Sequence, residues 1–141
     1  METIIGDEFI KKVIPLIDNA VHSVKIINYD WRWYVNDVGY ATSQFNQAII
    51  RAIGRGIGVF AILEHDSIIK RISALGASAR KINLPRLVHA KVILIDDKIC
   101  VVGSHNLTEY AFTKNFEVSL FFEDTDIAKQ LDTFFQNLWL L

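Results

Sequence analysis

A chain of 141 residues accommodates one domain and is too short for two, so residues 1–141 are read as a single unit. A hydrophobic fraction of 51% supports a core that needs neither metal nor disulfide. The lone Cys100, set in Lys98-Ile99-Cys100-Val101-Val102, has no partner within the chain and is expected to pack as a small buried hydrophobe in a reducing, cytoplasmic setting. A net charge of -1 counts against the strong non-specific duplex affinity of a basic DNA-binding domain. No apolar run approaches the roughly 20 residues of a spanning helix, and acids stand where a secretory signal places Lys or Arg.

Residues 7–19 set Phe9, Ile10, Val13, Leu16 and Ile17 at helical spacing, and Pro15 is expected to bend that helix. Val24 to Tyr29 is a short β-branched run that predicts a strand, followed by an aromatic segment over 30–39 that predicts an exposed loop. A helix over 43–53 ends in Gly54-Arg55-Gly56, a buried strand covers 57–63, a helix over 66–75 closes on Gly76, and a weak strand covers Arg80 to Ile82. Ala90 to Ile95 and Ile99 to Val102 form a hairpin about Asp96-Asp97-Lys98. Phe116 to Phe122 is a further strand, and 125–141 is a last amphipathic helix. The β-α-β alternation implies an α/β/α layered sandwich around a mixed, mostly parallel sheet.

Chemistry concentrates in His89-Ala90-Lys91-Val92-Ile93-Leu94-Ile95-Asp96, followed after six residues by Gly103-Ser104-His105-Asn106 and, in the next strand, by Glu117. Side chains alternate along a strand, so His89 and Lys91 share a face, as do Ser104 and Asn106, and Glu117 and Ser119. Grouping so many polar side chains among Val, Ile and Phe is costly unless they serve one another.

This pattern resembles the signature of the phospholipase D superfamily: His-x-Lys-x4-Asp, then Gly-Ser-x-Asn after six residues, then Glu. The resemblance covers residues 86–123 at the level of motif, while the N-terminal half agrees only in its βαβ character. Most superfamily members carry two copies in one chain. This chain carries one, as do the family's small bacterial endonucleases that act as dimers, and neither His22 nor His65 begins a second copy.

The resemblance implies a metal-independent phosphodiesterase with no cofactor, a nuclease whose substrate is nucleic acid and whose site is shared by a homodimer. One His89 attacks phosphorus to give a phosphohistidine, and the partner chain's His89 protonates the leaving group. Lys91 and Asn106 neutralise the non-bridging oxygens, Glu117 holds the imidazole, and Ser104 donates a supporting hydrogen bond. Asp96, at the hairpin turn with parity opposite to His89, and Gly103 are assigned structural roles. Two alternatives stand beside this: a phospholipid hydrolase or phosphatidyl transferase, and a dimeric module that binds nucleic acid without cutting it.

Other residues leave readings open. His105 occupies a position the family leaves variable, so exposure is favoured over catalysis, and His22 and His65 are expected at the surface. Trp31 and Trp33, in the segment Trp31-Arg32-Trp33-Tyr34, either bind substrate by stacking or pack internally or against a second subunit. Arg80, Lys81 and Arg86 either steer a polyanion toward His89 or are scattered solvated charge. One Cys and four scattered His offer no zinc-ligand spacing.

Overall fold

The computed structural model describes residues 1–34 and 39–141. Seven strands, β1 (Glu2–Ile5), β2 (Ser23–Ile27), β3 (Gly58–Ile62), β4 (Ser78–Arg80), β5 (Val92–Ile95), β6 (Ile99–Gly103) and β7 (Val118–Glu123), join in one sheet of order β1-β7-β6-β5-β2-β3-β4. The helices are α1 (Phe9–Asp18), α2 (Ala41–Gly54), α3 (Asp66–Leu75), α4 (Glu109–Thr113) and α5 (Thr125–Trp139).

The layering is as expected. The apolar faces of α1, α2 and α3, carrying Phe9, Val13, Phe45, Ile49, Ile68 and Ile72, pack on Val24, Ile26, Ile93 and Val101 of one sheet face. Phe135, Leu131 and Leu138 of α5 cover Ile27, Ile62 and Val92 on the other. In β5 the alternation is plain, with Ile93 and Ile95 on the first face and Val92 and Leu94 on the second.

The expected balance of strand directions is corrected. Only β2–β3 and β3–β4 are parallel, while β2–β5, β5–β6, β6–β7 and β1–β7 are antiparallel. One of these antiparallel pairs follows from the β5–β6 hairpin, whose turn residues Asp96 and Asp97 both take positive φ (55° and 53°), a tight reversal that can only join antiparallel neighbours.

Local signals set the helix ends. Asp124 accepts hydrogen bonds from the N–H groups of Asp126 and Ile127 at the start of α5, and Gly76 ends α3 at φ 114° in the left-handed region. Pro15 lies inside α1 without ending it. Two elements absent from the sequence reading are β1, which pairs with β7, and the single turn of α4. The short β4 begins two residues before the expected strand. Cys100 is buried, and burial pushes its thiol pKa up. Among the described residues, no helix is long and apolar enough to cross a membrane.

Candidate active site

The C-terminal ends of β2, β3 and β6 and the N-terminal ends of β5 and β7 open on the same edge of the sheet, because β5 and β7 run against their neighbours. That topology brings His89, Lys91, Ser104, Asn106 and Glu117 to one side of the molecule although they come from three separate segments.

His89 is exposed just before β5. The Lys91 ammonium lies 3.0 Å from its Nδ1 and donates to its carbonyl oxygen at 2.9 Å, so one lysine grips both the ring and the backbone of the same histidine. An ammonium can only donate, so the ring nitrogen it bonds must be the unprotonated one. Burial pushes the Lys91 pKa down, and the nearby Glu117 carboxylate opposes that shift. The His89 ring packs 5.0 Å from that of Tyr29. The segment entering the site is pinned from β3's side, where Glu64 accepts the Val88 N–H at 2.7 Å.

Ser104 donates its hydroxyl proton to Glu117 at 2.6 Å and accepts the Val118 N–H at 3.0 Å. Asn115 donates to the other carboxylate oxygen of Glu117 at 3.1 Å. Glu117 makes no hydrogen bond to His89 of its own chain among the described residues; its carboxylate is oriented by Ser104 and Asn115 instead. Gly103 precedes Ser104 and pairs with Ser119, and a Cβ at Gly103 would overlap the Oγ and Cα of Ser119. Close approach of two strands therefore demands glycine there.

The Asn106 side-chain oxygen accepts the Asp30 N–H at 3.2 Å, which fixes the amide plane and leaves its NH₂ group free to donate among the described residues. Asn28, which the sequence reading passed over, supports this arrangement: buried at the end of β2, it accepts from Asp30 and Leu107 and donates to the His105 carbonyl. A polar residue ending an apolar strand at the ligand-binding edge of an α/β sheet was the available signal. A groove of about 1030 Å³ opens beside Asn106.

His105 is buried, where exposure was expected. It is 2% exposed, its ring lies 4.8 Å from that of Phe9, and it bridges the Gly6 carbonyl (2.8 Å) and the Ser119 hydroxyl (2.7 Å). A carbonyl only accepts, so Nε2 carries the proton and Nδ1 accepts from Ser119. Alternation along the strand end explains the error: with Ser104 and Asn106 turned to the site, His105 must turn into the core.

Asp96 lies at the opposite end of β5 from His89, at the hairpin turn, where its carboxylate accepts the backbone N–H groups of Val21, His22 and Ser23 at 2.7–3.1 Å. Burial alone would push its pKa up, but these three donors hold it below the usual carboxylate value.

Trp31 is not available to substrate. It is buried, and its indole N–H donates to Asn46 at 2.7 Å, so the ring is spent inside the α2 side of the core. Trp33 packs half-buried against the same cluster, 6.2 Å from Trp31. Residues 35–38 of the expected loop lie outside the described residues. The Arg80 guanidinium lies over the Trp139 ring, and Lys81 is 3.9 Å from Glu64, which gives both a partner within the fold, whereas Arg86 is exposed. His22 and His65 are exposed, as expected. Among the described residues, no three His, Cys, Asp or Glu side chains gather as metal ligands.

A family model described as "Cardiolipin synthase, PLD-like domain" matches residues 13–139. The chain is 34% identical over 136 residues to a phospholipase D of Rickettsia bellii, covering 92% of this chain and 61% of that one, so it spans about three fifths of that relative. Among solved structures, NucT from Helicobacter pylori superposes with a TM-score of 0.81 at 23% identity, covering 98% of this chain and 94% of that one. Nuc from Salmonella typhimurium, a phospholipase D family member, gives 0.80 at 24%, covering 98% and 93%. The match runs through the N-terminal βαβ half as well as the motif, so the likeness extends to the whole architecture that carries the site, and the chain belongs to the phospholipase D superfamily.

Proposed function

We propose that the protein is a metal-independent phosphodiesterase that cleaves nucleic acid through a phosphohistidine, at a site completed by a second copy of the chain. The observation that carries this reading is that one sheet edge holds one His89–Lys91–Ser104–Asn106–Glu117 set with a single imidazole in it. In-line displacement needs a nucleophile on one side of phosphorus and a proton donor on the other. No second histidine of this chain stands ready for the donor role, since His105 is buried in the core, His22 lies by Asp96 at the far end of β5, and the ring partner of His65 is Tyr29.

In the proposed reaction a ring nitrogen of His89 forms a bond to phosphorus as the bond to the leaving oxygen breaks. That oxygen takes a proton from the partner subunit's His89. Water then gives a proton back to that histidine and attacks the phosphohistidine, releasing the phosphate product and restoring both rings. Lys91 and the free NH₂ of Asn106 carry the charge that builds on the non-bridging oxygens. Glu117, oriented by Ser104 and Asn115 and unbonded to its own imidazole, is positioned to receive the imidazole N–H of the partner subunit.

Exposed apolar residues beside Glu117 support the dimer. Phe116 is fully exposed, and Ile5 and Val118, neighbours across the β1–β7 ladder, are half exposed. Exposed apolar side chains on the segment that carries Glu117 suit a subunit contact that closes the site.

A second reading has its own support: exposed Leu84 and Leu87 flank Arg86 on the segment leading to His89, a surroundings suited to a phospholipid. The deciding experiment is digestion of labelled single-stranded DNA, duplex DNA, RNA and phosphatidylglycerol vesicles in excess EDTA, with His89→Ala as control. Cleavage of a polynucleotide that survives EDTA and vanishes in the variant is expected. Cleavage of the lipid alone would transfer the same chemistry to the second reading, and EDTA-sensitive cleavage would end the metal-independent one.

A further inference from the structure

The groove beside Asn106 has features that the reacting groups do not require. Three tyrosines from separate segments stand on its walls: Tyr34 after β2, Tyr40 at the start of α2 and Tyr110 in α4, exposed by 47, 51 and 64%. Leaving that much aromatic surface in water forfeits burial, and such rings mark binding surfaces when they cluster around a concavity.

The scaffold beneath them is tied together. The Glu109 carboxylate accepts the N–H groups of Ala41 and Thr42 at 3.3 and 3.0 Å, joining α4 to the first turn of α2. Thr108 caps α4 by accepting the Ala111 N–H, and the Asn106–Asp30 hydrogen bond fastens the groove to the site.

Charge in the groove is unevenly satisfied. Arg32 is paired with Asp30 at 2.8 Å, and the Glu109 carboxylate is occupied by the α2 backbone. Lys114 makes no ion pair among the described residues, and its ammonium lies 5.3 Å from the Tyr110 ring centroid. Aromatic faces beside an uncompensated ammonium suit a planar base stacked on a ring, with its phosphate at the lysine. A duplex offers no free base faces, and a net charge of -1 gives little general hold on one.

We infer that this groove binds the unpaired nucleotides of a single-stranded polynucleotide, one arm of the diester whose phosphate lies at Asn106. The inference rests on the nuclease reading and adds strand preference and sequence tolerance to it, because stacking reads a base face and not its edge.

The test pairs two measurements. Binding of a fluorescein-labelled oligothymidylate, single-stranded or annealed to its complement, is followed by anisotropy in a His89→Ala background to prevent cleavage. Hydrolysis of bis(p-nitrophenyl) phosphate, a small diester with neither a nucleobase nor a strand, is followed in otherwise wild-type protein. Tyr110→Leu and Tyr40→Leu, conservative changes at exposed positions, are each expected to weaken single-strand binding about tenfold. They should leave small-diester hydrolysis within about twofold, and wild-type residues in the groove should hold the single strand more tightly than the duplex. Unchanged single-strand affinity in the double variant, with hydrolysis intact, overturns the groove assignment while leaving the nuclease reading in place. Wild-type protein that hydrolyses the small diester but neither binds nor cuts any polynucleotide overturns both.

Discussion

Gly103 and His105 flank Ser104, and each constrains the candidate site through its contacts within the fold. Gly103→Ala puts a methyl group into the backbone of β7 at Ser119, where no side-chain rotation can relieve the overlap. A loss of about 3 kcal/mol in urea unfolding is expected, with activity falling further than stability because Ser104 moves with the strand. His105 contributes a pH dependence. Burial lowers its pKa, opposed by the Gly6 hydrogen bond and the Glu117 charge, so the unfolded chain takes up this proton at a higher pH than the folded one. Its contribution is therefore complete above about pH 6.5, the ordinary histidine value, and is lost as pH falls toward the depressed folded value. Urea midpoints measured from pH 8 to pH 5 should decline with a slope that His105→Gln reduces; an equal slope in the variant would assign the decline to other groups.

At the scale of elements, Asp96 is the residue whose removal should separate folding from chemistry. Its three backbone donors tie the α1–β2 connection to the β5–β6 turn, far along the sheet from His89. Asp96→Ala should cost about 2 kcal/mol, moderated by solvent at this partly exposed turn, while the surviving folded fraction keeps its turnover. A variant that is fully stable and inactive would instead make Asp96 part of the machinery.

The elements themselves were unevenly legible. Long periodic segments such as α5, and α3 with Gly76 behind it, could be read directly because burial of one face imposes the period. β1 and α4 could not, since Glu2–Ile5 is too short for alternation to rise above chance and owes its strand to the ready-made edge of β7. Spacing identified the motif residues and alternation past Ser104 and Asn106 sufficed to turn His105 inward, but what Trp31 and His105 pack against depended on what lay beneath them. Trp31 has Asn46 and Phe45 below it, and His105 has Gly6 and Phe9, contacts between distant segments that no local pattern records.

For the whole molecule, association and activity should be inseparable. Phe116→Arg places a charge in the apolar patch beside Glu117 and is expected to give monomers by light scattering, with activity reduced at least about a hundredfold. Full activity in a strictly monomeric protein would end the shared-site proposal. Co-refolding His89→Ala with wild-type chains is a second check, since mixed dimers should lose most of their activity if both imidazoles act in one turnover.

The outermost strand also bears on how the molecule forms. Glu2 pairs with Phe121 across the β1–β7 ladder, and Gly6 supplies the carbonyl that His105 needs, so residues near opposite ends of the chain must meet before the site is braced. The parallel strands β2, β3 and β4 close much shorter loops, and loop closure must precede the contacts that reward it. During synthesis β1 should wait unpaired until β7 emerges. Pulse-labelled hydrogen exchange should accordingly protect the amides of Val24 and Ile26 before those of Ile4 and Gly6, and catalytic competence should follow the pairing of β1.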